Sequence, residues 1–320
     1  MNNYYDNFLE ALSERYPRKV DLVVALMDIL PIEKESIYRR LRKDILFSTE
    51  EVMQIAGAWN ISLDNIVSTI PHKTRPFQFS LVDYVNPSED DYKLLEQFVG
   101  TLTLAAQDPE SEWTEISDSL PGSIYNKSEH LLRFCTMKWL YKYGSPEESV
   151  PLSEIRVPER TRQLEREYVD RIHDIPKVNF IFDTRFIEHL VDDIVYSRSI
   201  RTVTDDELVT LKGELLELVD QMEDFALKGY FPDTGNKFFF YLSHTHVETE
   251  YIFLTSQYVN MSIVKMLERN GVLAFDKTIL DRLKNTIHAA KRLSVLMSLS
   301  NRLELIRFFD KQRETIEAMK

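Results

Sequence analysis

The stretch from Glu33 to Lys43 carries the residues in this chain that are best suited to contact a polyanion. Five of its side chains are basic, although the whole chain of 320 residues has a formal net charge of −13. The five are Lys34, Arg39, Arg40, Arg42 and Lys43. Lysine and arginine neutralise phosphates, and arginine also pairs with a guanine edge through two parallel hydrogen bonds. The composition of this stretch therefore predicts contact with double-stranded DNA.

Helical spacing would give this stretch one apolar side and one charged side. Ile37 and Leu41 are four residues apart and would share a face of a helix. With that pair turned inward, Arg39 points directly outward. Tyr38 paired with Leu41 is the alternative inward set, which shifts the register by one residue. A solvated charged face is the alternative interpretation, but such faces usually mix both signs of charge.

The outward positions divide into two predicted roles in DNA binding. The candidates for contact with base edges are Lys34, Glu35, Ser36, Tyr38 and Arg39. The candidates for contact with phosphates, which fix the register on the duplex, are Arg40, Arg42 and Lys43. Arg18 and Lys19, at the start of the preceding helical segment, are predicted to meet the flanking DNA backbone.

The elements around this stretch are predicted to be short helices. Positions 4–68 contain five segments with apolar residues at helical spacing. Ser48 followed by Glu51 has the pattern of a capping box, which marks the start of the segment after the basic one. Glycine is scarce, with 8 in the chain, which favours helices over a turn-rich β architecture. Residues 1–70 are therefore predicted to form a five-helix domain.

This arrangement resembles the helix-turn-helix regulators of the lambda-repressor and Cro class. The run from Leu26 to Glu33 is similar to the end of that family's second helix and its turn, and the run from Trp59 to Ile66 is similar to its closing segment. Pro31 stands where the turn glycine is usual, and Glu33 where the cap serine is usual. The resemblance covers about the first fifth of the chain. It implies that Ile37 is the buried residue of a recognition helix.

Two further clusters carry the donor atoms of a metal site. The first consists of His244, His246, Glu248 and Glu250. Their alternation on a predicted strand would place all four side chains on one face. A polar strand face that is exposed to solvent gives the same alternation. The four residues also lack the fixed spacing of a tetrahedral metal site, so we predict no metal there. The second cluster is the run from Glu188 to Asp193, which places His189 beside carboxylates on one helix face. Surface solvation is the favoured interpretation of that run.

Sequence signatures of known enzyme chemistries are otherwise absent. The chain has no G-x-G-x-x-G, no P-loop, no G-x-S-x-G and no H-E-x-x-H motif. Cys135 is the single cysteine and lies in an apolar stripe, which indicates a buried thiol in a reducing compartment. We therefore predict a protein that is not an enzyme and that needs neither a cofactor nor a metal.

The larger remainder of the chain is predicted to be mainly helical. Residues 71–88 contain three prolines and no helical period, as expected of a linker. Residues 89–320 follow, with a helix expected at 112–120 and short aromatic strands near 236–276. The fold-class prediction is mainly α, with a small antiparallel sheet in an α+β second domain. A long apolar stripe between Ile279 and Phe309 is assigned to dimerisation.

Charge indicates which part of the chain can contact DNA, and hydropathy indicates in which compartment the protein lies. Residues 1–75 have a net charge of −1 and the remaining 245 a net charge of −12, so DNA contact is confined to the basic stretch. The chain starts without a basic and then apolar leader, and no segment has 18 uninterrupted apolar residues. These features predict a cytoplasmic protein without membrane contact.

Taken as a whole, the sequence predicts a sequence-specific DNA-binding transcriptional regulator that acts as a homodimer. The C-terminal domain would supply the dimer and could hold a site for a small-molecule or protein effector. One alternative is a protein–protein interaction module whose first domain is only structural. A less favoured alternative is a metal-dependent enzyme that uses the residues between His244 and Glu250.

Overall fold

A computed structural model of the chain describes residues 4–16, 18–59, 61, 63–67, 78–143, 150–267, 270–274, 277–298 and 302–320. The chain divides into two compact units, Met1–Phe77 and Gln78–Lys320. Among the described residues, no helix is both long enough and apolar enough to cross a membrane.

The first unit consists of short helices, which confirms the apolar periodicity. They are α1 (Tyr4–Arg15), α2 (Lys19–Ile29), α3 (Lys34–Leu41), α4 (Thr49–Trp59) and α5 (Leu63–Val67). The predicted capping box at the start of α4 is also confirmed. The Glu51 amide donates to the Ser48 hydroxyl at 3.2 Å, and the Ser48 amide donates to the Glu51 carboxylate at 2.8 Å.

One apolar core joins the helices of the first unit. Phe8 of α1, Leu26 of α2, Ile37 of α3 and Ile55 of α4 are all buried in it. Ile37 is fully buried, which confirms it as the inward residue of α3. Because Ile37 has no exposed surface, its position fixes which side of α3 faces solvent.

The C-terminal end of α3 is closed by an unusual residue. Lys43 has a φ of 67°, a left-handed conformation that glycine normally provides at this position. The Asp44 amide donates to the Arg39 carbonyl at 2.9 Å, and the Lys43 amide donates to the Arg40 carbonyl at 3.1 Å. This pair of bonds is a Schellman motif, and it stops the helix after two turns.

The second unit is built on one mixed β-sheet of eight strands. The strands are β1 (Gln78–Ser80), β2 (Glu112–Ser117), β3 (Lys177–Asp183), β4 (Lys237–Ser243), β5 (Tyr251–Thr255), β6 (Asn260–Leu267), β7 (Asn270–Ala274) and β8 (Ser294–Leu296). Their order across the sheet is β1-β7-β6-β5-β2-β3-β4-β8. β2, β3 and β4 are parallel, and the other pairs are antiparallel.

This sheet makes the prediction of a mainly α fold with a small antiparallel sheet near 236–276 wrong. The sheet begins at Gln78, is mixed, and has parallel strands in its middle, so the class is α/β. The predicted helix at 112–120 was also wrong, because Glu112–Ser117 is the strand β2. The predicted strands within 236–276 do exist as β4 to β7, but they form only part of the sheet.

Helices cover both faces of the sheet. They are α6 (Glu89–Ala105), α7 (Gly122–Tyr125), α8 (Glu129–Tyr143), α9 (Glu159–His173), α10 (Glu188–Ser199), α11 (Asp205–Lys228), α12 (Lys277–Arg292) and α13 (Arg302–Glu317), with a short 3-10 helix at Leu152–Glu154. The main core packs helices against Trp113 of β2, Phe180 of β3 and Phe240 of β4. On the opposite face, Ile287 of α12 packs against Ile116 and Ile181.

The apolar stripe that was assigned to dimerisation is partly used inside this unit. Ile287 is 8% exposed on the sheet, and Phe309 of α13 is fully buried in the main core. Leu293 and Leu303 of the stripe are 55% and 59% exposed, so the stripe is divided between the core and the surface and the dimer stays a prediction.

The predicted linker at 71–88 is described only in part, because residues 68–77 lie outside the described residues. From Gln78 onward the segment belongs to the second unit. β1 pairs with β7, and the Val82 amide donates to the Asn270 side chain at 2.9 Å.

Candidate nucleic-acid interface and a polar cavity

The exposed side of α3 carries most of the predicted base-reading residues. Successive residues of a helix are about 100° apart. At that spacing Lys34, Glu35, Tyr38, Arg39 and Arg42 form one arc, in which Glu35, Arg39 and Arg42 lie nearest to the direction opposite the buried Ile37 and Lys34 lies at the edge. Tyr38 is half-buried and the other four members of the arc are exposed.

Lys34 and Arg39 are the two cations of this arc whose charge is not used in an ion pair within the described chain. Neither side chain forms an ion pair with another residue of the described chain. A basic side chain without an internal partner keeps its full charge for an external anion. These two residues are therefore the strongest candidates for direct DNA contact.

Arg40 has a different position from the one predicted. Its guanidinium donates two parallel hydrogen bonds to the Glu51 carboxylate, at 2.9 and 2.8 Å, and a third to the Ser36 carbonyl at 3.1 Å. Each side chain of the ion pair is only 15% exposed. The pair ties α3 to the first turn of α4, so Arg40 is less available to a phosphate than Lys34 or Arg39.

Arg42 and Lys43 lie at the C-terminal end of α3 in weak ion pairs. Arg42 pairs with Glu35 at 2.9 Å and with Asp44 at 3.1 Å, and Lys43 pairs with Asp6. These side chains are about half exposed or more, and exposed pairs contribute little free energy. A phosphate can therefore replace the carboxylate partners.

The other predicted contact residues lie close to this arc. Arg18 is largely exposed and approaches Asp21 at 3.6 Å at the start of α2. The Lys19 ammonium lies 5.9 Å from the centre of the Tyr38 ring, which connects the start of α2 to the exposed side of α3. Ser36 is half-buried beside Arg40.

The second unit contains a cavity of about 660 Å³ at the carboxyl end of β2. Asp118 follows β2 directly, Glu250 precedes β5, and Lys265 extends from β6 into the cavity wall. β5 and β6 are neighbours and β2 pairs with β5, so the sheet brings together residues that are far apart in the chain. His189 of α10 also lines this cavity.

A buried ion triad lies in the cavity wall. Glu115 of β2 is completely buried, and the Lys265 ammonium approaches it at 2.7 Å and Glu250 at 3.1 Å. The Ser123 hydroxyl donates a further bond to Glu115 at 2.5 Å. Burial would lower the pKa of Lys265, but the two carboxylates raise it, so the ammonium stays charged. A buried charge is stable only when it is paired in this way.

Glu250 and Asp118 form a hydrogen-bonded carboxyl pair with opposite pKa shifts. Burial would raise the pKa of Glu250, but the charge of Lys265 and hydrogen bonds from Ser119, Ser117 and Asp118 lower it to about 2. Burial and the hydrogen bond to Glu250 raise the pKa of Asp118. Of the two carboxyl groups, Asp118 therefore binds a proton more readily and Glu250 is the more strongly ionised.

The predicted row from His244 to Glu250 does not lie on a strand. It forms the loop between β4 and β5, so the four side chains do not share a strand face and that expectation was wrong. His246 approaches Asp183 at 3.1 Å, whereas Glu250 turns to Lys265. No group of three or more His, Cys, Asp or Glu in the described part of the chain is arranged to hold a metal ion. The metal-dependent alternative therefore loses its geometric basis.

The sequence patterns mark some of the residues that line the cavity, but they do not indicate the cavity itself. The sequence pattern predicts a solvated surface for the Glu188–Asp193 run, yet His189 of that run lines this cavity. Cys135 is buried as predicted and lies in the same wall. Glu115 and Lys265 gave no sequence signal, because the two residues are 150 positions apart.

Comparison with protein-family models, with curated proteins and with solved structures found no match to this chain.

Proposed function

We propose that this protein is a sequence-specific DNA-binding transcriptional regulator that acts as a homodimer, with the exposed arc of α3 placed in the major groove. The observation that carries the proposal is the chemistry of that arc. It presents Lys34 and Arg39, which have no ion-pair partner in the described chain, on a helix that the buried Ile37 anchors in the core. The resemblance of the first fifth of the chain to lambda-repressor and Cro regulators supports it.

The residues of the arc divide between reading bases and holding the backbone. Arg39 lies close to the direction opposite the buried Ile37, where a docked helix meets the groove floor, and its guanidinium suits a guanine edge. Glu35 can accept from cytosine N4, and Tyr38 lies beside it. Arg42 and Lys43 lie at the C-terminal end of α3, and Arg18 and Lys19 lie at the start of α2, where phosphates are nearest.

Two copies are needed because one such arc makes few contacts. A helix of eight residues reaches only part of one groove. Helix-turn-helix proteins usually gain specificity by placing two recognition helices about one DNA turn apart. A two-fold symmetric operator is therefore part of the proposal.

The test begins with selection of bound sequences from a random DNA pool, using the full chain. Arg39→Ala is then titrated against the selected site and against a scrambled site at several salt concentrations. We expect a loss of about 1–3 kcal/mol on the selected site and a relaxed preference at one base position. Arg307→Ala is the matched control, because Arg307 is an exposed arginine on α13.

Arg42→Ala should behave differently from Arg39→Ala. The loss of a phosphate contact weakens the selected and scrambled sites alike and reduces the salt slope by about one unit. The face assigned to the groove is wrong if Arg39→Ala weakens both DNAs equally. If no sequence is enriched and neither variant changes DNA affinity, the first unit is not a DNA-binding domain and the interaction-module alternative replaces it.

A further inference from the structure

The cavity of the second unit has two kinds of wall. One wall is apolar and aromatic, with Phe98, Tyr168, Ile252 and Ile263 among its residues. The other wall is rich in carboxyl groups. Apolar walls with a few convergent polar groups are the usual features of a site for a small organic molecule, and a volume of about 660 Å³ is within the usual range.

The charge of the cavity favours a cation. Six carboxyl side chains line it, against three lysines. Lys265 is already paired with Glu115 and Glu250, and Lys138 is paired with Asp193 at 3.0 Å. An anionic ligand would therefore meet an excess of negative charge.

An unsatisfied acceptor in the same cavity points to a ligand that donates hydrogen bonds. Asn126 lines the cavity and is only 3% exposed. Its amide nitrogen donates to the Glu165 carboxylate, which fixes the orientation of the amide. Its amide oxygen is buried and has no hydrogen-bond partner in the described chain. A buried acceptor that lacks a donor is costly unless a ligand supplies one.

We propose that this cavity binds a small organic cation, an ammonium group on an aliphatic or aromatic body. Asp118 is the counter-ion for the ammonium group, and the amide oxygen of Asn126 accepts a further hydrogen bond from the same ligand. Aromatic side chains such as Phe98 and Tyr168 receive the body, and their ring faces also attract cations. A metal ion fits less well, because the described residues hold no cluster of metal-ligating groups.

The test uses the full chain without DNA, so it is independent of the proposed DNA binding. Hexylamine, 2-phenylethylamine and tryptamine are titrated at pH 7 by calorimetry. Each amine is compared with the alcohol and the carboxylate of the same skeleton. We expect saturable binding of at least one amine with a dissociation constant below about 1 mM. Its alcohol and carboxylate should bind at least roughly tenfold more weakly, because a hydrogen bond to a charged group is the stronger one.

A variant then assigns the binding to this cavity. Asp118→Asn keeps the size of the side chain, and the new amide can donate to Glu250, so the fold is retained while the counter-ion is lost. We expect it to weaken amine binding by roughly tenfold or more, since it removes a charged acceptor. Glu314→Gln is the control, because Glu314 is an exposed carboxylate on α13 outside the cavity. Thermal unfolding of both variants checks that each is folded.

Three outcomes would overturn the inference. The first is the absence of saturable binding by any of the three amines. The second is equal or tighter binding of the matched alcohols or carboxylates, which would assign the cavity to a neutral or anionic ligand. The third is unchanged amine affinity in folded Asp118→Asn, which would place the amine elsewhere on the protein.

Discussion

Glu250 illustrates how a single residue in this protein depends on groups that are distant in the sequence. Its carboxylate receives hydrogen bonds from the Ser117 hydroxyl at 2.8 Å and the Ser119 hydroxyl at 2.6 Å, and it faces Lys265. All three partners favour the ionised form. The same contacts that stabilise the charge therefore stabilise the fold only while Glu250 is ionised.

The first residue-scale prediction concerns acid stability. The pKa of Glu250 falls from an ordinary 4.5 to about 2 on folding, so the stability it contributes is present above pH 4.5 and is lost as pH falls towards 2. The full shift corresponds to about 3 kcal/mol at most. Asp118 has the opposite sign, because its raised pKa favours the folded state at low pH.

The measurement is the free energy of unfolding between pH 6 and pH 2 by urea titration. Glu250→Gln should lower stability at pH 6 and should lose less stability than the natural protein as the pH falls. Glu110→Gln is the control, since Glu110 is 80% exposed and pairs only with Lys177 at the surface. Parallel pH curves for Glu250→Gln and the natural protein would contradict the prediction.

At the scale of elements, α3 is held in place by two different contacts. Ile37 anchors it in the core, and the Arg40–Glu51 pair joins it to the start of α4. Arg39 is one residue away but exposed, so neighbouring arginines have separate functions. One positions the helix and the other is available to a ligand.

We therefore expect Arg39→Ala and Arg40→Ala to differ in stability. Arg40→Ala leaves a largely buried Glu51 carboxylate without its partner and should lower the free energy of unfolding of the first unit by about 1–3 kcal/mol. Arg39→Ala should change it by less than about 0.5 kcal/mol, as is usual for an exposed side chain. Chemical denaturation followed through Trp59, which is buried in the first unit, reports this difference. Equal effects of the two substitutions would show that the Arg40–Glu51 pair does not tie the two helices.

The elements of the first unit could be predicted from the sequence because each carries its own local signals. Apolar residues recur at helical spacing, and Ser48 with Glu51 marks a helix start. The exposed side of α3 could be predicted for the same reason, since all of its residues lie within one short stretch of helical spacing. The ion pair of Arg40 was not, because its partner lies in another helix.

The central strands could not be predicted, because their stability comes from partners far along the chain. β2 is buried along most of its length, yet it contains Thr114, Glu115 and Ser117, which lack the alternation typical of a strand. Glu115 is tolerated in the core only because Lys265 meets it there. β3 pairs with β2 and β4 on its two sides, and such strands have no exposed face to alternate. The cavity is built from these same long-range contacts, so it escaped sequence analysis as well.

At the scale of the whole molecule, the basic side chains of α3 contrast with the acidic remainder of the chain. The exposed arc of α3 gathers cations in a chain with a net charge of −13. Acidic surface elsewhere repels a polyanion, so non-specific DNA contact is limited. On the proposed DNA-binding function, specificity then comes from two copies of the same short helix.

The last prediction is therefore the stoichiometry on DNA. Two protomers of the full chain should bind one selected site with inverted half-sites, whose centres are about 10 base pairs or a multiple of one turn apart. Multi-angle light scattering of the complex measures the mass directly. Inserting about five base pairs between the half-sites turns them to opposite sides of the duplex and should weaken binding strongly. A single half-site is the control, and it should bind one protomer weakly. The homodimer proposal is contradicted if one protomer saturates the full site, or if the insertion leaves affinity unchanged.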